Sequence, residues 1–183
     1  MPGSSSTTLT SALQRHASFF DANRDGKISP KETYGGLRRL GMGRVQAAGA
    51  AAAINAGLGP STNKGLGKAT LDIDIKNIKA GKHAGDTGLF DAQGQFQPAL
   101  FEKKFAKASA DGKTLTETEL LSMRDPANGA ASRLASSVEL PLLFKLAHDT
   151  TALRGGKRVD VISKAQLKSF YVGDLFERLA ARR

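Results

Sequence analysis

The sequence predicts a mostly α-helical domain, built from helix–loop–helix units whose loops pair as short strands. Three observations predict this class. The run Asp21–Glu32, DANRDGKISPKE, has the spacing of a calcium-binding EF-hand loop. Apolar residues recur at helical steps on both sides of it. Most of the remaining chain reads as helix-length segments separated by Gly, Pro, Ser and Asn.

The loop fits position by position. Asp21, Asn23 and Asp25 offer side-chain oxygens at positions 1, 3 and 5. Gly26 takes the sharp turn at position 6, and Lys27 needs to offer only its carbonyl. Ser29 at position 9 ligates directly or through water, and Glu32 at position 12 closes the shell with two oxygens. Ile28 at position 8 is placed to pair with a neighbouring loop as a short strand. On the entering helix, Leu9, Leu13, His16 and Phe20 share one face by three- and four-residue steps. Leu37 and Leu40 continue the pattern on the exit helix, which ends near Gly41.

Residues 1–8 read as a flexible Ser/Thr-rich tail, and 9–183 as one domain. Within it the calcium-binding unit covers 9–41. An alanine-rich helix follows over 42–58; it carries Arg44 and Asn55 and is too short and polar to span a bilayer. Gly49 and Ala53, four apart, would allow close packing there. Residues 57–68 read as a loop. Leu71, Ile73 and Ile75 alternate with Asp72 and Asp74, which predicts a short strand or an extended lead into a helix, inside a block over 71–96 that contains His83. Phe90–Phe96 reads as a turn between extended pieces.

The region 97–183 reads as degenerate EF-hand-like helical structure. Pro98–Ala108 has helical spacing. Asp111–Gly112 and the helix after it resemble a second hand without the ligand register, a structural partner loop that binds no calcium. A helix is expected over Ser132–Ala147. A long third loop follows over Asp149–Gln166, with Val159 and Val161–Ile162 as its strand. Leu167–Leu179 closes the chain as a helix broken near Gly173.

Composition removes several chemistries. There is no Cys, so disulfides, thiolate ligands and Cys nucleophiles are excluded. Thiolate-ligated haem is excluded with them. GLGPSTNKGLGK lacks phosphate-loop spacing, and no Ser/His nucleophile motif is present. The net charge of +10 suits solubility or an anionic partner. Nucleic acid is a poor candidate, because no aromatic platform is interleaved with the basic residues. The start of the chain lacks the basic and apolar regions of a secretory signal.

The three His are His16, His83 and His148. Taken alone, His16 on its apolar face reads either as a packed core residue or as a ligand, and His83 as a ligand or a surface residue. His148 reads as structural or exposed.

Three separated blocks resemble the caleosins, also called plant-type peroxygenases. They are LQRHASFFDANRDGKISPKETYGGLRRLG at Leu13–Gly41, IDIKNIKAGKHAGDTGLFDAQGQF at Ile73–Phe96, and ISKAQLKSFYVGDLFERL at Ile162–Leu179. The resemblance implies calcium in the first loop. It also implies haem b held by His16 and His83, with the alanine-rich helix and both His blocks around a haem pocket. The implied activity moves one oxygen atom from a hydroperoxide to an unsaturated fatty acid or another small organic acceptor. Calcium would then hold the helix bearing His16 and take no direct part in oxygen transfer.

The chain departs from the plant pattern in one region. Where those proteins carry a long apolar anchor and a proline knot, it has the alanine-rich segment and a single Pro60. A soluble, cytoplasmic protein is therefore expected, with at most a weak peripheral contact to acidic lipid surfaces. The competing reading is non-enzymatic: a calcium-dependent protein binding lipid or acidic surfaces.

Overall fold

The computed structural model describes residues 11–63, 70–81, 87–125 and 130–182, with the side chains of 130–138 left aside. Helices dominate, and the strands form two small antiparallel sheets.

Local chemistry starts the helices where polar caps stand. Helix α1 (Ala12–Ser18) begins at Ser11, whose hydroxyl accepts from the Gln14 amide while Gln14 reaches back to the cap. After the Asp21–Glu32 loop and strand β1 (Lys27–Ile28), α2 (Pro30–Arg39) repeats the device with Ser29 and Glu32, and Pro30 sits in its first turn. The later helices are α3 (Arg44–Thr62), α4 (Pro98–Ala108), α5 (Glu117–Leu121), α6 (Ala130–Ala147), α7 (Lys164–Val172) and α8 (Leu175–Ala180). Strand β2 (Ile73–Asp74) leads into a 3₁₀ helix over Ile75–Gly81.

Ile28 pairs with Ile73, and Lys27 with Asp74. The first loop thus finds its partner in the Leu71–Ile75 stretch. The Asp111 loop pairs elsewhere: strand β3 (Thr114–Leu115) lies against β5 (Lys157–Ser163), with Leu115 opposite Ile162. A hairpin joins β4 (Thr150–Arg154) to β5. Phe90 and Phe96 form an isolated bridge across their turn.

Helix α3 differs from expectation in two ways. It runs to Thr62, into the first half of the 57–68 segment expected to be loop; residues 64–68 lie outside the described residues. Pro60 cannot donate to the preceding turn, yet the end is held by side chains. Thr62 Oγ1 donates to the Leu58 carbonyl at 2.9 Å and Asn63 Nδ2 to the Gly59 carbonyl at 2.8 Å. Its close approach also lies elsewhere. Gly49 and Ala53 face solvent; a Cβ on Gly59 would lie 2.9 Å from the Leu71 carbonyl. The buried stripe is Ala47, Ala51, Asn55, Gly59 and Thr62.

The main core gathers Phe101, Phe105, Leu115, Leu120, Ile162, Leu167, Tyr171 and Leu175, all essentially closed to solvent. Each such large apolar side chain contributes about 1.5–3 kcal/mol by leaving water. A second cluster joins Ala17, Ile28, Ile73, Ile75 and Ile78, and a third joins Leu37, Met42, Ala47 and Ala51. Phe20 packs against all three. No helix among the described residues is long and apolar enough to cross a membrane.

Candidate functional site

An apolar cavity of about 240 Å³ lies where these clusters meet. Helix α1 and the turn after it bring Leu13, His16, Ala17 and Phe20 to it, most of the face expected from sequence; Leu9 lies outside the described residues. Ile28 and Thr33 line it from within and just after the Asp21–Glu32 loop. Ile54 and Leu58 come from α3, Leu140 and Leu143 from α6, and Phe170, Tyr171 and Phe176 from the closing helices.

Among the described residues, His16 is the one imidazole of that wall. Its ring meets Phe170 edge to face at 4.4 Å between centroids, and Phe176 at 4.6 Å. Burial pushes its pKa from the ordinary 6.5 down to about 4, although a hydrogen bond to the Phe170 backbone carbonyl works the other way. The imidazole is therefore neutral at physiological pH. A neutral imidazole keeps one ring nitrogen with a lone pair, which is what a metal-binding His offers.

Gly173 sets where α1 can lie. It adopts φ +94°, and a Cβ there would stand 2.8 Å from the Ala12 carbonyl and 3.0 Å from the His16 amide nitrogen. Only Gly allows both that backbone and that approach.

His83 falls within 82–86, outside the described residues; the flanking Gly81 and Thr87 both line the cavity. His148 is exposed, stacked on Phe144, with Nδ1 3.1 Å from the Phe144 carbonyl. It is not among the residues that line the cavity.

The Asp21–Glu32 loop is drawn together by its own amides. Asp21 accepts from the Asp25 and Gly26 amides at 3.2 and 2.9 Å. Asn23 Oδ1 accepts from the Asp25 amide, and Asp25 from the Lys27 amide. Glu32 ties the two ends, accepting from Ala22 at 3.2 Å and from the Ser29 amide and hydroxyl at 2.9 and 2.8 Å. Burial pulls its pKa upward, but these bonds outweigh it and hold the carboxyl below the ordinary range. Gly26 turns with φ +84°, and its carbonyl accepts from the Ile75 amide. Among the described residues, no three His, Cys, Asp or Glu side chains gather closely enough to hold a metal ion. The loop's side-chain oxygens accept from backbone amides and from the Ser29 hydroxyl and Asn23 amide instead.

Asn55 was read from sequence only as a polar break in an alanine helix. It is fully buried. Its Nδ2 donates to the carbonyls of Ile28 at 3.0 Å and Leu71 at 2.8 Å, and its Oδ1 accepts from Thr33 Oγ1 at 2.6 Å. It thus fastens α3 to the strand pair and to the residue after Glu32. Its place on the Ala47–Ala51–Asn55–Gly59 stripe was the available signal. The walls from Phe170, Tyr171 and Phe176 were also missed; the aromatic cluster in SFYVGDLF was their signal. Tyr171 donates to Thr87 Oγ1 at 3.0 Å, a buried polar pair at the cavity edge.

Comparison with known proteins agrees with this arrangement of blocks. The family described as caleosin related protein matches residues 8–180. "Probable peroxygenase 4" of Arabidopsis thaliana is 36% identical over 176 residues, covering 93% of this chain and 86% of that protein. A "Peroxygenase" of Lilium longiflorum is 34% identical over 174 residues, covering 92% of this chain and 70% of its own length. No solved structure matches the chain.

Proposed function

The chain belongs to the caleosin family, and on that premise we propose that it is a calcium-binding haem peroxygenase. It would pass one oxygen atom from a hydroperoxide to an unsaturated lipid or another small organic acceptor. The observation that carries this reading is a neutral imidazole, His16, set in an apolar cavity and held between the rings of Phe170 and Phe176.

The donor set suits haem. Without Cys, imidazole is the natural protein ligand for the iron, and His16 and His83 are the residues that would hold it. At about 240 Å³ the cavity is below the roughly 300–1,000 Å³ usual for small-molecule sites, so wall side chains must turn outward around so large a group. Haem, when bound, supplies the centre at which a hydroperoxide yields an oxygen atom. The chain's own part is to hold the imidazole against Phe170 and Phe176, exclude water with Phe20, Phe170 and Phe176, and offer an apolar wall to the hydrocarbon part of an acceptor.

The α1–α2 and α4–α5 units are EF-hand-like in this reading. In the first, Asp21, Asn23, Asp25, the Lys27 carbonyl, Ser29 and Glu32 would hold calcium by exchanging backbone donors for the cation. Ile28 and Thr33 belong both to this unit and to the cavity wall, so the metal would steady one side of the pocket. The ion would act on structure, with no contact to the reacting atoms.

The test is reconstitution with haem, followed by a visible spectrum and an epoxidation assay on an unsaturated fatty acid. A Soret band and hydroperoxide-dependent epoxide are expected. A protein that retains no haem and forms no epoxide, while still binding calcium, would be the non-enzymatic surface module instead.

A further inference from the structure

The two loops share one hydrogen-bond plan. In the first, Glu32 accepts from the Ser29 amide at 2.9 Å and the Ala22 amide at 3.2 Å. In the second, Glu119 accepts from the Thr116 amide at 2.7 Å and the Ala110 amide at 2.9 Å. Ser29 and Thr116 each accept from the amide of that glutamate, at 3.3 and 3.2 Å. Asp25 accepts from the Lys27 amide, and Asp111 from the Lys113 amide, both at 2.8 Å.

The acidic sets differ. Four residues before Asp25 stands Asp21; four before Asp111 stands Lys107. Eleven residues before Glu119 stands Ala108. The second loop therefore lacks the first carboxylate that a calcium shell needs.

A cation is present all the same. Arg154 ends strand β4 beside the Gly155–Gly156 turn, and its guanidinium reaches into the loop. Its NH2 nitrogen lies 3.1 Å from Asp111 Oδ2 and 3.0 Å from Thr114 Oγ1, and its Nε lies 3.7 Å from Glu119 Oε1. Nε is buried with no hydrogen-bond partner, so the Glu119 carboxylate is its nearest compensation. Among the described residues, no Lys, Arg or His forms an ion pair with Asp21, Asp25 or Glu32.

We propose that Arg154 is the resident cation of the second loop, a tethered guanidinium doing there what a metal ion does in the first. The planar fork of Arg suits this place, because it can serve two carboxylates and a hydroxyl at once. Burial acts to raise the Asp111 pKa, but donors from Thr114, Lys113 and Arg154 hold it well below the carboxylate range. The consequence is a division of labour. The α4–α7 half, which supplies Phe170 and Tyr171 to the cavity, keeps its form without metal. Calcium acts only on the opposite wall, through Ile28 and Thr33. That second clause rests on the calcium reading above; the role of Arg154 does not.

Amide hydrogen exchange tests both parts separately, in wild type, Arg154→Gln and Arg154→Lys, with calcium or with chelator. In wild type, calcium is expected to slow exchange at Ala22 and Ser29 and to leave Ala110 and Thr116 unchanged. Arg154→Gln is expected to speed exchange at Ala110 and Thr116 at least tenfold in either condition, with Arg154→Lys intermediate. If Arg154→Gln does not fold, the lysine variant decides: unchanged exchange at Ala110 and Thr116 overturns the proposal. Calcium protection of those two amides in wild type would overturn it as well. A first loop that ignores calcium would sink the calcium reading alone.

Discussion

Asn55 on the alanine-rich helix donates its side-chain amide to the carbonyl of Ile28, 27 positions earlier in the chain, at 3.0 Å. Ile28 is the eighth residue of the Asp21–Glu32 loop and part of the cavity wall. One buried amide therefore joins the proposed metal loop, the strand pair and the helix whose Ile54 and Leu58 face the same cavity.

Asn55→Leu should uncouple them. It leaves the Ile28 and Leu71 carbonyls without the Asn55 donor and the Thr33 hydroxyl with only the Ser29 carbonyl at 3.3 Å, at about 1–3 kcal/mol for each group left unsatisfied. Thermal unfolding should show the loss, and calorimetry should show calcium affinity lowered roughly tenfold, about 1.4 kcal/mol. Unchanged melting and affinity would mean that Asn55 merely fills space.

Glu32→Gln separates ligation from capping. Gln still serves the capping box with Ser29, so α2 should form, but its NH2 cannot accept from the Ala22 amide as the second carboxylate oxygen does, so the metal-free protein should lose about 1–3 kcal/mol. Calcium affinity should fall by orders of magnitude, because the bidentate carboxylate is gone. Equal affinity by calorimetry would remove Glu32 from the ligand set.

The buried His16 makes a pH signature. Its pKa is about 4 when folded and the ordinary 6.5 when unfolded. Between those values the unfolded chain binds the extra proton, so stability is full above 6.5 and declines as pH falls toward 4. Denaturant midpoints measured from pH 7.5 to 4 should show this slope, and His16→Gln should flatten it. An identical slope in the variant would show that the imidazole is not held neutral by burial.

Gly173→Ala should destabilise by about 2 kcal/mol or more, since Ala resists the left-handed backbone and the added methyl meets α1. Haem retention after reconstitution should fall with it, because α1 carries His16. A neutral substitution in both assays would mean that α1 can shift at no cost.

What sequence could reveal follows its range. The Asp21–Glu32 loop is local, so its turn glycine and strand position were legible from twelve residues. Pro98–Ala108 was legible for the same reason, with Pro at its start and Leu100, Phe101 and Phe105 in step. The end of α3 was not, because Pro60 with Gly57 and Gly59 signals a loop while Thr62, Asn63 and the contact of Gly59 with Leu71 hold a helix. Strand partners were only half legible. Ile28 announces a strand, but its choice of Ile73 is made by packing in three dimensions. The cavity is the most distant case: His16 meets Phe170 across most of the chain, and no spacing rule connects them.

The most direct measurement compares three single variants after haem reconstitution: His16→Ala, His83→Ala and His148→Ala. Each is read by its Soret band and by hydroperoxide-dependent epoxidation. The account predicts that the first two each lose the band or the oxygen transfer, and that His148→Ala keeps both. Full haem content and full activity in His16→Ala and His83→Ala would contradict it.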